Sequence, residues 1–192
     1  KRLARDLQQL KDIGYEKILV QNPSHIFLGK NMNFQMYGGF GLNVTNSYSA
    51  AFYQEQGLTD ITLSFELNLN QAKRINRGIP VGVIAYGKLP LMVTRSCPIG
   101  KYQNCRNCSV HGTLTDRQGK QFEICCHQEV REIYNSDTLY MADKMEDLDS
   151  FDFITLYFTG ESNAEIKHVI QEYLSGSGMR NHMTRGLYYR KV

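Results

Sequence analysis

The sequence lacks any apolar run long enough to cross a membrane, since its longest runs are of the order of Val81–Ala85. A membrane-spanning helix needs about 20 apolar residues, so we expect no membrane partner. The chain opens with Lys1–Arg5 and continues as an amphipathic helix, which differs from a secretory signal peptide. Because the first residue is not methionine, we expect the chain to be a piece of a longer protein.

Strong charge of either sign is also lacking. The formal net charge is +3 and the isoelectric point is about 8.5, whereas basic nucleic-acid-binding domains commonly exceed about 9. This charge balance permits contact with RNA but does not by itself indicate it.

A complete set of disulfides is excluded, because the five cysteines are an odd number. They also crowd between Cys97 and Cys126, whereas a disulfide framework would spread them along the chain. The distribution favours a reducing compartment with a local thiolate site, and we expect a cytoplasmic protein.

The motifs of common hydrolases are missing from the sequence. It contains no H-E-x-x-H zinc motif and no G-x-S-x-G nucleophile elbow. The sequence assigns no partner to any of its five histidines. We therefore expect this chain alone not to hydrolyse peptides.

Residues 1–96 alternate short apolar segments with helical patterns. The strand-like segments are Lys17–Gln21, Asn33–Tyr37, Ile61–Phe65 and Val81–Ala85. This alternation is typical of βαβ units and a parallel sheet. A closed eight-stranded barrel needs about 250 residues, so we predict an α/β fold with roughly half of a TIM-like barrel here. Half a barrel leaves unpaired edge strands, through which we expect a homodimer.

Residues 97–192 show a different pattern. Thr113–Asp116 and Gln121–Cys125 flank a glycine turn, which predicts a cysteine-rich β-hairpin region. Phe151–Phe158 predicts a strand, and Ser162 begins a capping-box pattern at the start of a helix. We therefore predict a final strand–helix unit within the same domain.

The cysteines have the spacing of a metal site. Cys105 and Cys108 form a C-x₂-C pair, with Cys97 upstream and Cys125 and Cys126 downstream. Neighbouring residues of a strand point to opposite faces, so we expect one of the last two to join the site. Four thiolates suit an iron–sulfur cluster or tetrahedral zinc, while buried free cysteines or a redox dithiol are the alternatives. Two histidines are near enough in sequence to replace a ligand: His111 and His127.

The predicted barrel also gives candidate catalytic residues, because active-site residues of TIM-like barrels follow the C-terminal ends of strands. Five residues occupy such positions: Asn22, Asn43, Glu66, Tyr86 and Arg95. Glu66 is the carboxylate among them, and it could act as a base or form a salt bridge with Arg95. A structural role for Glu66 and a helix-capping role for Asn43 and Asn46 are the alternatives.

The segment from Arg180 to Lys191 mixes basic residues with Tyr188 and Tyr189. Single-stranded RNA grooves combine basic side chains with aromatic stacking surfaces. A charged edge hairpin has the same composition, so RNA contact is one of two interpretations.

Four stretches of the chain carry a resemblance to a known family: Gly41–Ser47 with Leu63–Leu69, Tyr86–Ile99, Leu114–Gly119 with Tyr134–Ser136, and Thr184–Arg190. In the same order along the chain, they resemble the collagenase-like peptidase family. The resemblance implies that a preceding segment supplies the first barrel strands, so that residues 1–96 form the C-terminal half of a TIM-like barrel. It also implies an iron–sulfur cluster, whose ligands by position are Cys97, Cys105, Cys108 and Cys126, with Cys125 as the alternative fourth ligand.

The resemblance implies two alternative functions. The family name denotes collagen-degrading activity, which suggests a peptidase with a peptide substrate and a thiolate-ligated metal or iron–sulfur site. Other members resemble non-hydrolytic factors that hydroxylate RNA bases or a quinone precursor. A scaffold domain with structural zinc is a third interpretation.

Overall fold

The computed structural model describes residues 2–75, 78–100, 111–127, 130–178 and 182–191. The chain divides into two compact units. The first unit contains Lys1–Ala85, Lys144–Leu156 and Gly186–Val192, and the second contains Tyr86–Asp143 and Tyr157–Arg185. In the described part of the chain, no helix is both long and apolar enough to cross a membrane.

Helices α1 to α5 span, in chain order, Arg2–Asp12, Ser24–Asn31, Ser47–Glu55, Leu69–Lys73 and Asn163–Ser175. Strands β1 to β5 span Lys17–Val20, Gln35–Gly38, Leu58–Thr62, Val81–Gly87 and Pro90–Thr94. Strands β6 to β11 span His111–Thr115, Gln121–His127, Val130–Tyr134, Thr138–Tyr140, Phe153–Leu156 and Met183–Thr184. Helices separate the strands up to β4, whereas β5 to β9 follow one another without an intervening α-helix among the described residues.

The first unit is built on a parallel sheet in the order β1, β2, β3, β4. Helices α2, α3 and α4 lie between successive strands along the chain, and they provide the long crossovers that parallel pairing requires. Strand β10 also pairs with β4. The predicted α/β fold with βαβ units is therefore confirmed.

Side-chain caps begin two helices of this unit. The Asn46 side chain accepts a hydrogen bond from the Ser49 backbone N–H at 2.9 Å, which caps α3. Asn68 and Gln71 form a reciprocal capping box at the start of α4. Such caps satisfy backbone donors that a helix leaves without partners in its first turn.

The described strands do not close into a barrel. Within the described residues, β1 pairs with β2 and with no strand on its other edge. Leu19 in β1 is 60% exposed. Assignment of this sheet to half of a larger barrel stays a prediction, as does a homodimer through the β1 edge.

The second unit contains an antiparallel sheet in the order β5, β8, β7, β6. Two residues, Lys88 and Leu89, join β4 to β5. A parallel crossover needs roughly a dozen residues, so β5 cannot continue the parallel sheet and pairs with β8 instead.

The predicted hairpin is present as β6 and β7, which pair antiparallel. Its turn is held by Asp116, whose Oδ1 accepts hydrogen bonds from the backbone N–H groups of Gln118 and Lys120 at 2.8 and 2.9 Å. Residues 101–110, with two of the cysteines, lie outside the described residues, so the cysteine-rich character of this region stays a prediction.

The remaining elements of the second unit surround β9. The last two residues of β4 pair antiparallel with β9, and β11 pairs parallel with β9. Ser162 and Glu165 form the predicted capping box of α5, and the helix ends at Gly176 in the left-handed conformation. The Met141 backbone N–H donates to the Tyr173 hydroxyl at 2.8 Å, which links α5 to the residue after β9.

Gly82→Ala tests the packing of β10 on β4. An added Cβ would lie 2.4 Å from Phe153 Cδ2 and 2.6 Å from the Phe153 carbonyl oxygen. Because a backbone atom cannot rotate away, we expect the free energy of unfolding to fall by about 1–3 kcal/mol in urea denaturation. At Gly160 an added Cβ meets nothing within 4 Å, so Gly160→Ala should stay within about 0.5 kcal/mol of wild type. Equal stability of the two variants would contradict this packing.

Candidate functional site

Cys97 lies in a turn that follows β5. The Gly100 backbone N–H donates to the Cys97 carbonyl at 3.1 Å, which closes the turn over residues 97–100. The Cys97 side chain is half-buried. Ile99, in the same turn, reaches β6, because a Cβ added at Gly112 would lie 2.3 Å from Ile99 Cδ1.

The doubled cysteine of β7 is divided between two faces of the antiparallel sheet, as alternation predicts. Gly112 is the cross-strand partner of Ile124, so the two share a face. Cys126 is two residues beyond Ile124 in the same regular strand and shares that face too. The turn that contains Cys97 and Ile99 therefore packs on the Cys126 face of the sheet.

A hydrogen bond from Arg131 also connects the Cys126 face to the segment before the Cys97 turn. Arg131 is the cross-strand partner of Cys126, and its Nη1 donates to the Arg95 carbonyl at 2.7 Å. Arg95 precedes Cys97 by two residues. A cation on the Cys126 face thus bonds to the segment that leads into the Cys97 turn.

Cys125 belongs to the opposite face, with Glu123. Lys88 Nζ lies 2.6 Å from Glu123 Oε1 on this face. Burial raises the pKa of the Cys125 thiol, and the neighbouring carboxylates of Glu123 and Glu132 raise it further. Cys125 and Glu123 line a cavity of about 350 Å³ together with Thr113.

Convergence of four cysteines stays a prediction. Cys105 and Cys108 lie outside the described residues, and so does the side chain of His111. Among the described residues, no group of three or more His, Cys, Asp or Glu side chains could hold a metal ion. His127 Nε2 lies 3.6 Å from Glu132 Oε2.

The two weak catalytic candidates have different surroundings. Glu66 is exposed in the first unit, and its backbone N–H donates to Ser64 Oγ at 3.3 Å. It comes four residues after β3, because that strand begins and ends earlier than predicted. Arg95 belongs to the second unit and follows a strand of the antiparallel sheet. A catalytic role for either residue stays a prediction.

The other residues predicted at strand ends have local partners. Asn22 Oδ1 accepts hydrogen bonds from the backbone N–H and the hydroxyl of Ser24, at the start of α2. Asn43 adopts the left-handed conformation, with φ of 50°, at the end of a short 3₁₀ turn. Asn46, rather than Asn43, caps α3.

The Tyr86 side chain forms a hydrogen bond with Glu161, a residue that no sequence pattern had indicated. Burial alone would raise the pKa of Glu161. Hydrogen bonds from the backbone N–H groups of Thr159 and Gly160, at 2.8 and 3.0 Å, outweigh that burial and hold the pKa below its ordinary value. The carboxylate is therefore stabilised in its charged form.

The basic and aromatic residues near the C-terminus have unlike environments. Arg185 forms a bidentate pair with Asp143, with nitrogen–oxygen distances of 2.6 and 2.7 Å. Tyr188 is buried, and its hydroxyl donates to the Ile84 carbonyl. Tyr189 is half-exposed, and its hydroxyl donates to Asp147. Arg190 and Lys191 are exposed.

A cleft of about 650 Å³ opens beside this end of the chain. Lys73 and Arg74 at the end of α4 line it, and Arg190 and Lys191 line it too. The sequence separates these two pairs by more than one hundred residues, so composition alone could not bring them together. In the sequence, the adjacent basic pairs Lys73-Arg74 and Arg190-Lys191 are the feature from which a basic surface could have been predicted.

The parallel βαβ sheet places the protein in the α/β class. Residues 1–169 match the model of the family described as Peptidase family U32. The match covers most of the chain, so the protein belongs to this family, and the predicted resemblance is confirmed.

Two relatives carry the same name. The chain is 26% identical over 121 residues to the tRNA hydroxylation protein P of Escherichia coli (strain K12), a match over 60% of this chain and 26% of that protein. It is 25% identical over 121 residues to the tRNA hydroxylation protein P of Haemophilus influenzae (strain ATCC 51907 / DSM 11121 / KW20 / Rd), with the same shares. The chain thus spans about a quarter of the length of these curated relatives. No solved structure matches it.

Proposed function

We propose that the chain is part of a cytoplasmic, non-hydrolytic factor that hydroxylates RNA, and that its cysteines hold a thiolate-ligated iron–sulfur cluster. The observation that carries the proposal is the packing of the Cys97 turn on the Cys126 face of the antiparallel sheet. The names of the two relatives support RNA as the substrate.

The donor set fits such a group. Cys97 and Cys126 belong to one side of the sheet, and Cys105 and Cys108 follow Cys97 closely in sequence. Thiolates are the usual ligands of iron–sulfur clusters and of structural zinc. When bound, an iron–sulfur cluster would supply one-electron redox chemistry, whereas zinc would supply structural support.

The position of Cys125 makes it the weaker candidate for the fourth ligand. It lies on the face opposite Cys126, where Glu123 is paired with Lys88. A carboxylate neighbour disfavours an additional negative thiolate by direct repulsion. We therefore assign the fourth position to Cys126 in this proposal.

Serine substitutions separate the two cysteines. We expect Cys126→Ser to lose most of the bound iron, because it removes a ligand, and Cys125→Ser to keep it. Iron, zinc and visible absorption are measured on protein purified without oxygen. Equal iron content in the two variants would contradict the assignment of Cys126. A colourless wild-type protein with stoichiometric zinc would show that the site holds structural zinc instead of a cluster.

RNA hydroxylation is tested in the organism that encodes the chain. Deleting the gene should remove a tRNA nucleoside that is heavier than its precursor by one oxygen atom, as seen by mass spectrometry of digested tRNA. A wild-type gene should restore that nucleoside, and Cys97→Ser should fail to do so. Unchanged tRNA nucleosides together with loss of a hydroxylated quinone would point to the quinone precursor instead.

Peptide hydrolysis is the second candidate function, which the description of the family favours. Glu66 is the exposed carboxylate for which a basic role was predicted. Because no hydrolytic motif is present in the sequence, we expect no turnover of gelatin or a peptide library by the purified chain. Robust turnover that is lost in Glu66→Gln, with unchanged thermal stability, would establish the peptidase and make Glu66 catalytic.

A further inference from the structure

We propose that the cleft between α4 and residues 187–191 binds the backbone of single-stranded RNA, with Tyr189 as a stacking surface for a base. The inference rests on the proposed function, because it names the surface by which this RNA-modifying factor would hold its substrate. All of the lining residues belong to the first compact unit.

The charges of the cleft favour a polyanion. Its cations are Lys73 and Arg74 on one wall and Arg190 and Lys191 on the other, and all four are exposed. The ion pair found among the described residues of this unit, between Arg2 and Asp6, uses none of them. Neutralisation of phosphates by such cations supplies most of the sequence-independent affinity for nucleic acid.

The carboxylate among the described lining residues is already engaged. Asp147 accepts the hydrogen bond from the Tyr189 hydroxyl. This bond restrains the phenol, and the lining sets four cations against this one carboxylate. The cations therefore dominate the electrostatic character of the cleft.

The C-terminal wall is held in place by three bonds to other parts of the first unit. The buried Tyr188 hydroxyl donates to the Ile84 carbonyl in β4. The Leu69 backbone N–H donates to the Tyr188 carbonyl at 3.1 Å. Asn68 Nδ2 donates to the Arg190 carbonyl at 3.3 Å. These bonds fix the backbone that carries Arg190 and Lys191 beside α4, so the ordering cost on binding is reduced.

Tyr189 adds a feature that a purely ionic surface lacks. Its side chain is 48% exposed, and its hydroxyl is restrained by Asp147. A restrained, accessible ring offers a face for base stacking, which is worth roughly 5- to 150-fold in affinity per base. Bases in a duplex are already stacked on each other, so this contact favours a single strand.

The lining of the cleft suits a polar chain better than a small apolar ligand. The cleft has a volume of about 650 Å³, and most of the residues that line it have polar or charged side chains. Pockets for drug-sized ligands are mostly apolar. Paired cations on two walls suit successive phosphates of one strand.

The test uses the purified 192-residue chain and a fluorescein-labelled RNA dodecamer of mixed sequence, measured by anisotropy over a range of salt concentrations. We expect replacement of the four cleft cations by glutamine to weaken binding more than tenfold and to reduce the salt-dependence slope by about three. The matched control replaces four exposed cations outside the cleft by glutamine: Arg5, Lys17, Arg117 and Lys167. It removes the same charge and should change binding much less.

Two further measurements address stacking and strand preference. Tyr189→Ala should weaken binding roughly tenfold, whereas Tyr189→Phe keeps the ring and should retain most of the affinity. The same sequence as a duplex should bind more weakly than the single strand. Far-UV circular dichroism establishes that each variant is folded before its affinity is compared.

The outcomes separate this inference from the proposed function. Equal loss of binding in the cleft variant and the control variant would overturn the cleft, and so would duplex binding as tight as single-strand binding with no effect of Tyr189→Ala. Preference for a phosphopeptide of equal charge over the dodecamer would also overturn it. None of these results bears on whether tRNA loses a hydroxylated nucleoside when the gene is deleted. Conversely, unchanged tRNA nucleosides with cleft-dependent RNA binding would reject hydroxylation and keep the cleft.

Discussion

Every residue of β4 is buried, and this strand constrains much of the first unit. Burial on both faces requires apolar or small side chains, and Gly82 admits Phe153 where a methyl group would clash. The strand also leaves its Ile84 carbonyl to accept the Tyr188 hydroxyl. That bond brings the C-terminal segment to the parallel sheet, and the position of Arg190 and Lys191 beside α4 depends on it.

In the second unit the corresponding constraint is the alternation of side chains along β7. Two adjacent cysteines in a regular strand point to opposite faces of the sheet, so the register of the hairpin decides which of them shares a face with the Cys97 turn. Because Gly112 has no side chain, Ile99 can pack against the Cys126 face. Cys125 lies on the opposite face with Glu123, whose carboxylate is paired with Lys88.

Local signals in the sequence anticipated much of the fold. The capping residues Asn46 and Ser162 begin helices because their side chains satisfy backbone donors within three residues. Signals that depend on distant residues were less informative. The sequence of β5 does not indicate which strand it pairs with, and the short link after β4 places β5 in the antiparallel sheet. Composition likewise could not show that Arg185 is paired with Asp143 while Arg190 stays exposed.

The sequence by itself determined the α/β class, the family, the caps of α3 and α5 and the cysteine positions from which a thiolate site is inferred. These properties depend on periodicity, capping and spacing, which act over a few residues. Only the tertiary structure decided that Cys126 shares a face with the Cys97 turn, and that Lys73 and Arg74 line one cleft with Arg190 and Lys191. Both results require strand register and chain crossings that join residues far apart in sequence, and the hydrogen bonds and burial that fix them exist only in the folded protein.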